Sequence, residues 1–417
     1  MLALDAEHLW HPWSPTRVNP DTVLAVSGEG CRVTDADGRD FLDAKSSGFN
    51  ATLGYGRTEI VEAVTDQLSR LMTYDLGEGS TLPAVALARR MADLTGPPLT
   101  RTYFCNSGSE GVEAAVRISR FYHAVRGFPG RFGIVSLHGG YHGSTMGASA
   151  CAPAPTPISS LVTAPGFTVL SGPERPDHRS LLAEVERHLT EHGDQTAAVI
   201  VEPVQARFAR VLPDTFLREL RDLCDRRGVL LIFDEVTTGF GRTGRMFAWQ
   251  HGGTRPDILI TGKGLTAGYM SLSAVTTTGE VFDAFDRNKS QAGFVHGHTH
   301  SGHAAACAAG LAVIDILETE DLAGNARDRG RQLLTGLEPA RSLSSVRETR
   351  GLGLLVAVEL DSSARASGVR RRMKDDGVLV RRVGPAIILA PPLTVRSVEI
   401  EEITVKLLAA LETENAA

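Results

Sequence analysis

Two short apolar runs, each ending in a polar residue that a core has no reason to hold, constrain this chain more than any other feature. Val229-Leu-Leu-Ile-Phe233 runs into Asp234, and Ile258-Leu-Ile-Thr261 runs into Gly262-Lys263. Apolar runs of this length bounded by Gly or Pro read as buried strands of a parallel sheet. Ligands of such sheets lie beyond the carboxyl ends of the strands. Asp234 and Lys263 are therefore expected to face one crevice from neighbouring strands. A carboxylate and an amine in one partly desolvated place point to catalysis, because burial lowers a lysine pKa towards that of a nucleophilic amine. Lysine occurs only at Lys45, Lys263, Lys289, Lys374 and Lys406, so Lys263 is hard to dismiss as routine surface charge. The plainer alternative is an Asp234 that holds a turn and a Lys263 that points to solvent.

The rest of the chain extends the sheet. Thr102–Cys105, Phe132–Leu137 and Ala197–Val201 read as short strands, leading into NSGSEG, HGGYHGST and Glu202-Pro203. A helix from about Asp214 to Arg227, stopped by Gly228, feeds the strand at Val229. Strands alternating with helices imply a mostly parallel α/β sheet. Upstream, DADG reads as a hairpin turn, and EIVEAVTDQLSRL and PAVALARRMADL read as helices. From Ala304 the texture changes to a long Ala-rich helix, then to helices mixed with short strands such as LLVAVEL and AIILAPP. The expected organisation is an N-terminal segment 1–57, a large domain 58–305 and a small domain 306–417. The stretches 150–165 and 173–177 read as loops at the sheet's edge.

A chain of 417 residues, 42% hydrophobic, can bury two domain cores, and its net charge of -6 argues against a nucleic-acid surface. Its five cysteines are odd in number, widely spaced and without a CxxC, as expected of reduced thiols in a cytoplasmic protein. The opening MLALDAEHLWHPW is acidic where a signal peptide is basic, and no apolar run has membrane-spanning length.

Ser107-Gly108-Ser109 lies between a strand and a helix, with Ser107-x-x-Glu110 as a capping box. Backbone N–H groups at such a helix start bind phosphate well, although a simple cap has the same signature. Gly262-Lys263 is not a nucleotide P-loop, because Gly264 stands where Ser or Thr is needed, and no GxGxxG follows the first strand. HGHTHSGH at 296–303 and the pair His138 and His142 match no metal-ligand spacing, so no metal is expected. Loops that contact a cofactor or another subunit suit these histidines better. A phosphate cradle, a carboxylate for a ring nitrogen (Asp234), an amine (Lys263), an aromatic for stacking (Tyr141) and the strand-end Glu202 together are what pyridoxal phosphate needs.

FDEVTTGFGRTG, PDILITGKG, NSGSEGVEAA, GYHGST, EPVQ and HTHSGHAAACAAGLAVI, in this order and spacing, resemble the class III (ω-type) aminotransferases over almost the whole chain. HLWHPW and VLVRRVGPAIILAPPL look most like the biotin-pathway branch, which makes diaminopelargonate with adenosylmethionine as donor. The resemblance implies the fold-type I, aspartate aminotransferase-like architecture, with a smaller α+β domain built from the two termini. It implies that Lys263 holds pyridoxal phosphate as a Schiff base and shuttles the proton, and that Asp234 pairs with the pyridinium nitrogen. Tyr141 and Val236 would cover the ring's two faces, with His142 and Glu202 beside them. Ser107, Gly108 and Ser109 would hold the phosphate. Thr299 would reach the phosphate of a neighbouring subunit, making the active unit a homodimer. Arg381 would receive a substrate carboxylate, unless it is a surface member of the Arg381-Arg382 pair. Trp13, Gly48 and Phe49 would line the substrate side.

This chain departs from the biotin branch on that side. Gly48-Phe49 stands where a tryptophan pair is usual, Trp13 and Ile388 replace tyrosines, and ARFAR replaces a glycine-rich stretch after EPVQ. The expected reaction is ping-pong transfer of an amino group through pyridoxamine phosphate to a ketone or aldehyde, in biotin-like or specialised metabolism, with Trp13 and Phe208 available for stacking. Racemase, decarboxylase or aminomutase chemistry on the same cofactor is the alternative, and a non-catalytic binding relative the remote one.

Overall fold

The computed structural model describes residues 1–13, 22–152, 164–170, 178–286 and 293–416. Seven strands carry the crevice: β1 (Leu99–Cys105), β2 (Gly133–Leu137), β3 (Phe167–Leu170), β4 (Thr196–Val201), β5 (Leu230–Glu235), β6 (Ile258–Thr261) and β7 (Ser273–Thr278). Their spatial order is β1-β7-β6-β5-β4-β2-β3. Pairing is parallel from β6 through β5, β4 and β2 to β3, whereas β7 runs antiparallel to both β6 and β1. Asp234 lies opposite Ile260, and Glu235 opposite Thr261. This register sets Asp234 and Lys263 at the carboxyl ends of adjacent strands, as the two apolar runs imply.

The runs are continuous because both faces of the sheet are covered. Leu231, Phe233 and Leu259 pack into one core, while Leu230, Ile232, Ile258 and Ile260 pack into another, as the two-residue period of a strand requires. Burial of each such side chain stabilises the fold by about 1.5–3 kcal/mol.

Sequence and structure differ in two places here. Asp234 is not past its strand but inside β5, followed by the equally buried Glu235. The antiparallel β7 has no apolar run to announce it: Ser-Ala-Val-Thr-Thr-Thr is buried throughout, and its β-branched residues suit a pleated sheet.

The helix over Asp214–Arg227 ends at Gly228 in the left-handed conformation, the usual glycine stop. The DADG hairpin joins strands Arg32–Asp35 and Asp40–Asp43. Asp35 fixes its turn by accepting from the N–H groups of Asp37 (3.0 Å) and Arg39 (2.9 Å). Asp40–Asp43 pairs in parallel with Val378–Leu379, so the beginning and end of the chain share a sheet. A further antiparallel sheet, ordered Val346–Gly351, Val356–Leu360, Ala386–Leu389, Arg381–Val383, completes the C-terminal part.

All five cysteines are buried and unpaired, and burial pushes the Cys31, Cys105, Cys224 and Cys307 thiols up to about 12. Among the described residues no helix is long and apolar enough to cross a membrane. Most of the expected edge loops, 153–163 and 171–177, lie outside the described residues.

Candidate active site

Asp234 is held from two sides. Its Oδ1 accepts from the Val236 N–H at 3.0 Å, and its Oδ2 meets His142 Nδ1 at 2.8 Å. Burial pulls the fully enclosed His142 imidazole down, but the hydrogen bond and charge of Asp234 outweigh it and raise its pKa above the ordinary value. Removing either partner would leave a buried carboxylate uncompensated, which is strongly destabilising.

Lys263 follows β6 through Gly262 and turns out of the sheet with a left-handed φ of +35°. That conformation costs a non-glycine residue about 1–3 kcal/mol and persists only where surroundings dictate it. Lys263 Nζ donates to Thr237 Oγ1 at 2.7 Å. Burial lowers the Lys263 amine below its ordinary range, against the opposing charges of Asp234 and Glu202. The neutral, nucleophilic form is thereby favoured.

Glu202, just beyond β4, accepts from the Tyr141 N–H at 2.8 Å and the Ala206 N–H at 3.2 Å. Burial pushes its carboxyl up to about 7, with Asp234 adding to the rise and His142 opposing it. One side chain thus ties the Tyr141 loop to the turn after EPVQ.

Ser107 caps the helix Gly108–Val125, its Oγ accepting from the Glu110 N–H at 3.3 Å. The reciprocal half of the expected capping box is displaced: the Glu110 carboxylate accepts from Asn106 N–H at 2.7 Å. Gly108 is glycine for a steric reason, since a Cβ there would lie 2.7 Å from a Val236 methyl. Ser109 Oγ accepts from the Ser144 N–H at 3.1 Å, tying the turn at 107–109 to the GYHGST loop. Val236 therefore packs on the turn at 107–109 while its N–H holds Asp234.

The substrate-side residues form a second group. Residues 46–49 make a left-handed turn in which Ser46, Ser47, Gly48 and Phe49 all have positive φ, +45° to +82°. It is held by Ser46 Oγ donating to Ala390 O (2.6 Å) and by Asp43 accepting from Ser47 N–H (2.7 Å). The buried Arg242 guanidinium braces it too, donating to Ser46 Oγ (3.3 Å), Leu354 O (3.0 Å) and Pro391 O (2.5 Å). Arg381 lies over the buried Phe49 ring, 5.0 Å from its centroid. A Cβ on Gly48 would sit 3.6 Å from Arg381 Nη1. Trp13 meets the Tyr141 ring edge-on at 5.9 Å, is largely exposed and has φ +60°. Ile388 lies opposite Arg381 in the strand pair and is buried in one apolar cluster with Phe49, not open to the crevice.

Thr299 is exposed in the turn before the helix Ala304–Thr319. The neighbouring histidines pack as rings: His296 stacks on Tyr103 at 6.0 Å, and His298 meets His296 at 4.8 Å. Among the described residues no group of three or more His, Cys, Asp or Glu is arranged to hold a metal.

Sequence reasoning missed three parts of this region. The brace from Arg242 carried no signal, because a buried arginine reads as surface charge. The left-handed turn has only Gly48 to mark it. Arg207, beside the Glu202-bound Ala206, was visible only as part of ARFAR.

Comparison with known proteins agrees with this geometry. The family profile described as aminotransferase class-III matches residues 14–411. The chain is 35% identical over 413 residues to a Bacillus subtilis protein named uncharacterized aminotransferase YhxA, covering 93% of this chain and 91% of that one. It is 34% identical over 435 residues to the adenosylmethionine-8-amino-7-oxononanoate aminotransferase of Nitratidesulfovibrio vulgaris, covering 96% and 79%. An amine transaminase from an uncultivated Pseudomonas species, solved with pyridoxal phosphate bound, superposes with a TM-score of 0.90 at 35% identity, covering 97% and 98%. The fold-type I architecture is shown by this likeness, and the residues fit the cofactor. They offer a helix start too close to Val236 for any side chain at Gly108, a buried carboxylate on β5 and an amine beside it on β6.

Proposed function

The chain belongs to the class III aminotransferases, and from that premise we propose that it moves an amino group from an amino-acid-type donor, adenosylmethionine among them, to a ketone or aldehyde acceptor. The transferases of this family use pyridoxal phosphate, and this chain is a transaminase of that kind. The observation that carries the finer reading is Arg381, a guanidinium lying over Phe49 and left uncovered by Gly48. A fork of donors so placed suits a carboxylate bound in two-pronged fashion.

When bound, pyridoxal phosphate supplies an electron sink for the charge left when a proton leaves the substrate carbon. Lys263 Nζ, its pKa lowered by burial, takes that proton and returns it. Asp234, oriented by His142 and the Val236 N–H, holds a proton on the pyridine nitrogen. Ser107, Gly108 and Ser109 bind the phosphate with the helix start behind them. Tyr141 and Val236 confine the ring, and Glu202 orients the Tyr141 loop without proton transfer. Trp13, Gly48 and Phe49 shape the substrate side. Replacement of a tryptophan by Gly48 supports an acceptor wider than the biotin-pathway keto acid, in specialised metabolism.

The exposure of Thr299 supports a homodimer in which it reaches the neighbouring subunit's cofactor phosphate. The residues 58–305 are read as the cofactor domain, with 1–57 and 306–417 forming the small one. A cytoplasmic, small-molecule enzyme without nucleic-acid or membrane partners fits the composition.

The test is an absorbance titration of the purified holoenzyme with a donor panel that includes adenosylmethionine. Conversion of the visible cofactor band by α-amino acid donors, weakened at least about tenfold in Arg381→Gln, supports the reading. Equal conversion by amines that lack a carboxylate, unaffected by Arg381→Gln, would overturn it. Best turnover with the biotin-pathway keto acid would overturn the wider acceptor.

A further inference from the structure

Arg207 has no part in the roles above, yet it stands on the same rim. It lies in the turn of a small hairpin, Val204–Gln205 paired with Arg210–Val211. That turn is fixed at four points: Ala206 N–H donates to Glu202 at 3.2 Å, and Phe208 N–H to Gln205 O at 3.1 Å. Gln205 Nε2 donates to His138 O at 2.9 Å, and Arg350 Nε to Phe208 O at 2.9 Å. The carboxylate that pins Ala206 also pins Tyr141, so Arg207 is one residue from the crevice wall. Val204, Ala206 and Ala209 share one buried apolar cluster with Phe49 and Ile388, the residues beneath and opposite Arg381. Arg207 and Arg381 thus project from two supports of a single packed unit.

Both guanidiniums lie over aromatic rings, Arg207 at 5.5 Å from Phe208 and Arg381 at 5.0 Å from Phe49. Among the described residues neither forms a salt bridge to a carboxylate, whereas Arg350, in the strand that holds Phe208, pairs with both Glu348 and Glu359. Burial draws the Arg381 guanidinium below its ordinary range, and the positive charge of Arg207 adds to that. Two like charges on one packed frame, with no salt-bridge partner among the described residues, favour an anion between them.

We propose that Arg207 is a second anion anchor, which together with Arg381 selects substrates carrying two carboxylates, namely a dicarboxylic amino acid and its keto acid. This rests on the reading of Arg381 as a carboxylate receiver. Arg381 takes one carboxylate and Arg207 the distal one, and the buried apolar cluster holds their two supports in place from behind.

Glutarate and pentanoate have the same carbon chain and differ only in the distal carboxylate, and neither can react. Their binding to the holoenzyme by calorimetry is the test, in wild type, Arg207→Gln, Arg207→Lys and Arg381→Gln. Glutarate is expected to bind at least about tenfold more tightly than pentanoate, the scale of one charge-assisted hydrogen bond. Arg207→Gln should erase that gap while leaving pentanoate unchanged, and Arg207→Lys should restore part of it. In turnover, glutamate over 2-aminopentanoate should lose its advantage in KM and not in kcat. Equal binding of the two probes to wild type, with pentanoate still dependent on Arg381, would overturn the proposal alone. Pentanoate binding indifferent to Arg381 would overturn the reading beneath it as well.

Discussion

At the floor of the crevice each charged group has a partner inside the chain. Asp234 has His142 and the Val236 N–H, Glu202 has two backbone N–H groups, and Lys263 has Thr237. At the rim, Arg381 and Arg207 lie over aromatic faces and have no salt-bridge partner among the described residues. The difference separates two tasks. On the reading proposed above, groups that act on the cofactor need a fixed position whichever substrate arrives, so the fold satisfies them itself. On the same reading, groups that choose a substrate keep their hydrogen-bonding capacity for it, and the fold supports them from behind.

Replacing floor residues should therefore damage every substrate equally. Lys263→Ala is expected to lower turnover by at least about a thousandfold for all donors and acceptors, within the range of positioned acid–base catalysis. Loss for only some donors, in single-turnover assays, would break the division between floor and rim. Gly108→Val comes next. With Val236 2.7 Å from the position of its Cβ, the phosphate turn must shift. Pyridoxal phosphate affinity should fall by about tenfold or more in an equilibrium titration, with the donor ranking intact.

Glu235 sharpens the account of the floor through pH. It accepts from Ala248 N–H (2.6 Å) and Trp249 N–H (2.9 Å), yet burial still pushes its carboxyl up to about 7. A carboxyl raised in the folded state binds more protons there than in the unfolded chain. Its contribution is therefore full below about pH 4.5 and is lost as pH rises to about 7. Relative to Glu235→Gln, wild type should lose stability across that window, by up to about 1.4 kcal/mol per pH unit. Denaturant melts at several pH values with parallel curves for the two proteins would contradict it.

The smallest effect belongs to the rim. Gly48→Trp, placed beside Arg381 in a left-handed turn, should change the ratio of kcat/KM between bulky and small acceptors by about tenfold. It should leave the kcat for the small acceptor within about threefold. A uniform loss would mean that residue 48 supports the turn and does not select.

The floor was legible in the sequence because uninterrupted apolar runs, glycine or proline boundaries and one misplaced polar residue are local signals. That is why Asp234 and Lys263 were expected on neighbouring strands, although Asp234 lies inside β5 and not past it. β7 was not legible, since a strand of serine and threonine buried on both faces is recognised only by the strands beside it. The His142–Asp234 contact joins residues 92 apart, and the Arg242 brace joins three distant backbone segments. Both depend on the assembled tertiary fold, which no window of sequence contains. The rim was legible only as departures from a resemblance. That Phe49 supports Arg381 from below follows from four consecutive left-handed residues, a conformation only Gly48 announces.

The most direct test of the account is a half-reaction without acceptor, measuring keto acid released per subunit in wild type and in Lys263→Ala. The account predicts one equivalent of keto acid as the visible cofactor band converts, and none from Lys263→Ala. Consumption or racemisation of the donor with no keto acid released would contradict it, and would show that the crevice of Asp234 and Lys263 serves a different reaction.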